Sequence, residues 1–246
     1  MAFGTILNYG VENTFQVSYW KTLKSGFLLI FIATICYRLI DLIVTKKIEL
    51  AIRSTEGIQP SFWLWVTLSF LISIFFPLLT TLVSIHCLKK QSSEGFLKFF
   101  KNFFEYSLLE TLRAWGISFL WGLLFIIPGL IKMSFYFLVI FVVTLFPEYS
   151  HGQIDALKKS EEISKKVWFK LNLLVLLFFL ICPLILSLLF DQYSLIDKNP
   201  TLALINVFIE TCLIVLYHYW VYKLILKYIT SPSPTQQIGE IYVANV

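Results

Sequence analysis

Phe62–Cys87 reads FWLWVTLSFLISIFFPLLTTLVSIHC, without a single Lys, Arg, Asp or Glu. At about 1.5 Å per residue, a helix of this length crosses a hydrocarbon core of roughly 30 Å. Backbone amides surrounded by lipid must bond within their own segment, so the stretch is expected to be a helix and not a strand. Working outward, the same unbroken apolarity returns at Gly26–Thr45, Ser107–Ile127, Leu130–Phe146, Val167–Phe190 and Leu202–Ile229. The expectation is an all-α, polytopic membrane helix bundle of six transmembrane helices. Pro77 and Pro183 fall inside the second and fifth spans, where a lost donor and a crowded preceding turn predict kinks.

Composition agrees: of 246 residues, 58% are hydrophobic, 17% aromatic and only 14% charged, which is not the balance of a water-soluble domain. The first 24 residues lack the short apolar core of a cleavable signal peptide, so the amino terminus is expected to be retained. With that terminus inside, 13 of the 20 lysines and arginines lie on inner flanks. Five lie outside (Lys46, Lys47, Arg53, Lys132 and Lys198), and Arg38 and Arg113 fall within spans. By the basic-residue rule both termini face the cytoplasm. Trp20, Trp63, Trp65, Trp168 and Trp220 fall near span ends, where amphipathic rings prefer the headgroup layer.

Each odd-numbered span follows a segment too polar to cross but patterned to lie on the inner surface. In one, Phe96, Leu97, Phe99, Phe100, Phe103 and Phe104 alternate with Lys98, Lys101, Asn102 and Glu105. In another, from Gln153 to Val167, Asp155, Lys158, Lys159, Glu162, Lys165 and Lys166 share one arc opposite Leu157, Ile163, Val167 and the following Trp168, with Glu161 a misfit. These segments are expected to be amphipathic interfacial helices on the cytoplasmic side. Lys158, Lys159, Lys165 and Lys166 would bind anionic headgroups at about 1 kcal/mol each. The first such segment, Gly4 to Lys24, is less regular. Residues 1–230 then form one transmembrane domain, divisible into units 1–88, 89–147 and 148–230, with 231–246 a cytoplasmic tail holding Ser231-Pro232-Ser233-Pro234.

Ile127-Pro128-Gly129 is compact enough to form a tight outer turn between spans three and four, with Pro128 and Gly129 as its structural residues. Pro147-Glu148-Tyr149-Ser150-His151-Gly152 follows, then Ala156, Ser160 and Trp168 on the basic helix. This combination resembles the YciC-like bacterial integral membrane proteins and the related membrane domain of some glycerophosphodiester phosphodiesterases. The resemblance is organisational over residues 1 to 230 and specific only over Ile127 to Trp168. It implies a six-helix protein of the bacterial cytoplasmic (inner) membrane and supplies no catalytic residues. Only 231–246 follows span six, so phosphodiesterase activity is not expected to accompany it.

Ionisable groups at bilayer depth cost at least about 2.5–3.5 kcal/mol each on insertion scales, which makes them the best functional clues. Arg38 and Glu210 fall at matching depths in spans one and six, with Asp41 one turn from Arg38 and Lys132 near Asp41's depth. They are expected to pair, either as a structural clamp or as part of a polar pathway. Nearer the inner edge, Glu110 and Arg113 could meet His218 or Lys223, or snorkel to the headgroups. His86, His151 and His218 lack metal-ligand spacing. Cys36, Cys87, Cys182 and Cys212 form no Cys-x-x-Cys pair and are expected to be buried, inert thiols. Ser150 beside His151 lacks a nucleophile-elbow context, and Gly116 and Gly122 can each admit a close neighbour.

No catalytic residue, metal site or cofactor is expected, and nucleic acid is not an expected partner. The readings that remain are a membrane-organising or accessory protein contacting lipid, a second copy or another membrane protein, and a transporter or channel for a small solute or lipid around Arg38 and Glu210. A membrane enzyme comes third, because candidate acids and bases are scattered.

Overall fold

The computed structural model describes residues 19–53, 60–89, 95–190 and 199–230, which are helical almost throughout and contain no strand. Helix α1 (Tyr19–Arg53) packs along α2 (Pro60–Leu88), and α9 (Pro200–Thr230) lies against both. Helix α3 (Phe96–Leu124) folds back on α4 (Ile126–Tyr136), and the short α5 (Val139–Leu145) continues α4 after a break at Phe137 and Leu138. The single turn α6 (Pro147–Ser150) leads into α7 (Ala156–Val175), which runs through a π-helical turn at Leu176–Ile181 into α8 (Cys182–Phe190).

Five segments are long and apolar enough to cross a membrane: Gly26–Arg53, Pro60–Leu88, Ile126–Leu145, Ala156–Leu189 and Pro200–Ile229. The chain is a multi-pass membrane protein. Its surface carries the large apolar side chains that water would not tolerate in such number, including Ile126 at 76% and Leu188 at 78% exposure. The third expected span, Ser107–Ile127, lies mostly in α3, which ends at Leu124 and is not among the five; it carries Glu110 and Arg113.

The core gathers around α5 and the break before it, where Leu138, Val139, Phe141, Val142 and Val143 are all buried. Leu78, Leu82 and Ile85 of α2, Ala156, Ile163 and Leu171 of α7, and Tyr217, Val221 and Ile225 of α9 close over it. The start of α1 approaches the end of α2 closely, since a Cβ on Gly26 would run into the Sγ of Cys87. The expected burial of all four thiols is corrected at Cys36, which lies exposed on the bundle surface.

Two further expectations are corrected. The polar segments before spans three and five are not separate helices, because Phe96–Glu105 forms the opening turns of α3 and the lysine-rich stretch forms those of α7, each continuous with the apolar run that follows. Helical hydrogen bonding has no reason to stop where polarity changes and no Pro or Gly intervenes. The segment from 4 to 18 and the tail lie outside the described residues.

The turn between spans three and four sits at Phe125, the extended residue (φ −152°, ψ 124°) between α3 and α4, and not at Pro128–Gly129. Pro128 instead occupies the first turn of α4, where a missing N–H costs nothing. Gly129 is the contact point: a Cβ there would lie 2.6 Å from the Cα of Gly122 and 3.2 Å from the carbonyl oxygen of Ser118. Gly129 lets the α3 and α4 backbones touch, whereas the expectation that Gly116 and Gly122 each admit a close neighbour in place of a side chain is corrected, since a Cβ on either would meet nothing within 4 Å.

Pro77 is accommodated within an unbroken α2. Pro183 follows the π-turn directly, and the wider turn absorbs the carbonyl clash that a proline imposes one turn back. The motif after span four is a helix-to-helix corner. Pro147 opens α6, Gly152 takes the left-handed conformation (φ +68°), and Asp155 caps α7 by accepting from the N–H groups of Leu157 (2.9 Å) and Lys158 (3.2 Å).

Candidate functional site

Between the helices lies a cavity of about 720 Å³ whose wall includes residues of α1, α2, α3, α4, α5, the π-turn, α8 and α9. Aromatic and aliphatic side chains form most of the wall, among them Phe76, Trp115, Phe137, Phe141, Phe178 and Phe179. Arg38 and Glu210 are part of that wall. The Arg38 Nε donates to Glu210 Oε2 at 2.9 Å and its Nη2 to Oε1 at 2.8 Å, the forked geometry in which guanidinium and carboxylate hold each other most strongly. Their side chains retain 29% and 19% exposure, so the pair faces open space instead of being sealed between α1 and α9. Beside it, Tyr37 stacks on Phe76 with centroids 4.1 Å apart.

Two turns further along α9, His218 also lines the cavity. Its Nδ1 faces the carbonyl oxygen of Ile214 at 2.8 Å, so that nitrogen carries a proton. In the neutral ring Nε2 then accepts from the Thr81 hydroxyl at 2.9 Å. Tyr217, also on the wall, is boxed by the rings of Phe137, Phe178 and Phe179. The cavity thus has a charged pair toward one end, a hydrogen-bonded His–Thr pair toward the other and apolar walls between. Such a shape holds an elongated apolar molecule by area and orients it by a few polar contacts.

The remaining expected residues go elsewhere. Asp41 is half-buried one turn beyond Arg38. Lys132 does not join Asp41: its Nζ bonds Glu161 Oε2 at 3.1 Å. The small residues Ala156, Ser160 and Ser164, all fully buried on one stripe of α7, bring that helix against α4, and Glu161 is the carboxylate this contact delivers. Ser160 and Ser164 both donate to the carbonyl oxygen of Phe135 (2.8 and 3.0 Å), at the point where the α4 ladder breaks. Glu161, which fits no single arc of the helix, thereby acquires a role as the partner of Lys132 and Lys165.

Glu110 and Arg113 do not meet His218 or Lys223. Arg113 binds Asp155 at 2.8 Å and Glu110 at 3.4 Å, while Glu110, only 6% exposed, accepts from the Tyr149 hydroxyl at 3.2 Å. The α6 corner folds onto α3 and supplies closer partners than α9 does. Burial pushes the Tyr149 hydroxyl up to about 12, and the neighbouring Glu110 carboxylate adds to this. Burial would raise Asp155, but hydrogen bonds from Arg113 and from the Lys158 and Leu157 N–H groups outweigh it and hold the carboxyl below its usual range. Lys223 lies over the Trp220 ring at 5.4 Å.

Of the four lysines expected to grip headgroups, Lys159 pairs with Glu162 (3.0 Å), Lys165 with Glu161 (2.8 Å) and Lys166 with Glu162 (3.5 Å), while Lys158 is exposed. Tyr228 of α9 donates to Glu162 at 2.7 Å and ties this face of α7 to the last helix.

Sequence reasoning missed Thr81, Tyr149 and Tyr217. Thr81 had a usable signal in being a hydroxyl in span two at the depth of His218, whereas Tyr149 and Tyr217 are brought into place by tertiary packing alone. Comparison with protein-family models, curated proteins and solved structures finds no match.

Proposed function

We propose that this is a membrane carrier or binding protein that holds an amphipathic, lipid-like molecule in the interhelical cavity, its polar end at Arg38 and Glu210. The observation that carries the reading is the placement of a forked ion pair on the wall of a largely apolar cavity of about 720 Å³. Intramembrane charges are expensive, and a pair that served only to clamp α1 to α9 would be most stable sealed between them. In this reading the chain crosses the bacterial inner membrane six times, α3 being the sixth crossing helix, with both termini in the cytoplasm and the opening turns of α3 and α7 at the inner surface. It belongs with the YciC-like proteins on the strength of the residues from Ile127 to Trp168.

A membrane-organising role is the second reading, favoured by the exposed Lys158 and by Lys165 and Lys166 at 58% and 56% exposure. Glu161 and Glu162 offset much of that charge, which weakens it.

Gentle detergent extraction followed by mass spectrometry of bound small molecules tests the first reading. A stoichiometric lipid that is lost when Ser73, on the cavity wall, is replaced by Trp supports it. A ligand-free protein, or one whose lipid is indifferent to that change, contradicts it.

A further inference from the structure

We infer that the cavity selects an amphipath with a zwitterionic head, an anionic group joined to an ammonium, and apolar tails. This rests on the reading of the cavity as a ligand site. Arg38 spends its Nε and one Nη2 hydrogen on Glu210. The other edge of the guanidinium, formed by Nη1 and the remaining Nη2 hydrogen, has no hydrogen-bond partner among the described residues. Each Glu210 oxygen accepts one hydrogen bond from Arg38 and has a second lone pair left.

Both members of the pair therefore keep unused capacity, of opposite sign and a few ångströms apart, and both line the cavity. Neither can be left unsatisfied cheaply between apolar walls. An anionic group on the open guanidinium edge and an ammonium on Glu210 satisfy both without changing the net charge of the site.

An occupant with net negative charge fits worse. Arg38 is already neutralised by Glu210, and Asp41 one turn along α1 adds another carboxylate near Arg38. A further anion would leave uncompensated charge where the surrounding dielectric is low. A head with no charge leaves both sets of donors and acceptors unfilled. The aromatic lining, including Phe137, Phe141 and Phe179, requires tails, so the head group alone is not the ligand.

The test is native mass spectrometry of the full chain in detergent micelles doped with phosphatidylethanolamine, phosphatidylglycerol or diacylglycerol of identical chains. The proposal expects phosphatidylethanolamine to be retained about tenfold over either of the others. Glu210→Gln should reverse the order, lowering phosphatidylethanolamine and raising phosphatidylglycerol, because the ammonium loses its carboxylate and Arg38 loses its forked partner, with only the more distant Asp41 left to offset it. A merely structural pair would lower all three together. The double change Arg38→Gln/Glu210→Gln should bring the three lipids level. O-phosphoethanolamine, which lacks tails, should not displace bound lipid.

Preference for phosphatidylglycerol in the unaltered protein, an unchanged preference order in Glu210→Gln, or displacement by O-phosphoethanolamine overturns the proposal. The lipid comparison on the unaltered protein decides even if the variants do not fold. Equal binding of all three lipids that Ser73→Trp abolishes overturns the head-group selection alone. Binding that survives Ser73→Trp overturns the cavity reading as well.

Discussion

At the residue scale, the Arg38–Glu210 pair sets the sharpest constraint. Breaking one side strands a charge in a low-dielectric wall, so Arg38→Met is expected to cost about 3 kcal/mol, read as a lower melting temperature in detergent. Arg38→Met combined with Glu210→Leu should recover most of that loss, and a double variant whose loss equals the sum of the two single losses would show that the two side chains act independently. The α6 corner makes a pH prediction from Asp155 and Tyr149. Asp155 is depressed in the folded protein, so its contribution is fully present above the unfolded carboxylate value of about 4 and is lost as pH falls below that. Tyr149 is raised to about 12, so its contribution is present below the unfolded value of about 10 and disappears as pH climbs toward 12. The melting difference between the unaltered protein and Asp155→Asn should therefore shrink to nothing in acid, and that for Tyr149→Phe should shrink above about pH 10. The Arg38–Glu210 match could be read from depth along two helices, since helical rise converts residue number into distance. The partners of Glu110, Arg113 and Lys132 could not, because they depend on how α6 and α7 fold back on α3 and α4.

At the element scale, the α3–α4 hairpin stands on the contact between Gly122 and Gly129. Replacing Gly129 by Leu must push the backbones apart, and the expected result is a loss of several degrees in melting temperature together with new proteolytic cleavage near Phe125. Gly129→Leu behaving like the parent would mean that α3 and α4 do not touch there. The sequence revealed that a hairpin lay here but misplaced its turn, because Pro–Gly reads as a turn wherever it occurs while a proline in the first turn of a helix is equally comfortable. Ala156 and Ser160 were visible as a spaced motif, yet their purpose was not, and Ser164 one turn further on was not singled out. Ser160 and Ser164 cap a broken helix at Phe135 while Ala156 packs against it, and that break follows from packing of α5 into the core and not from any helix-breaking residue. Long apolar runs, by contrast, announced their helices directly, since backbone satisfaction in lipid allows little else.

On the scale of the whole molecule, helices pack around a space instead of filling it, and a charged pair sits on that space. Hydrophobic pattern could place the helices in a bundle, but whether their inner faces met or stood apart depends on the sum of many side-chain volumes and was not legible. The central claim is that the tails of a membrane amphipath occupy this space. Photolabelling with a lipid carrying a diazirine in its acyl chain, in native membranes and with peptide-level mapping, tests it most directly. The account predicts adducts on the inward-facing Ile140, Phe141 and Ile214, lost in Ser73→Trp. Labelling confined to outward-facing residues such as Leu120 and Leu188 would contradict it.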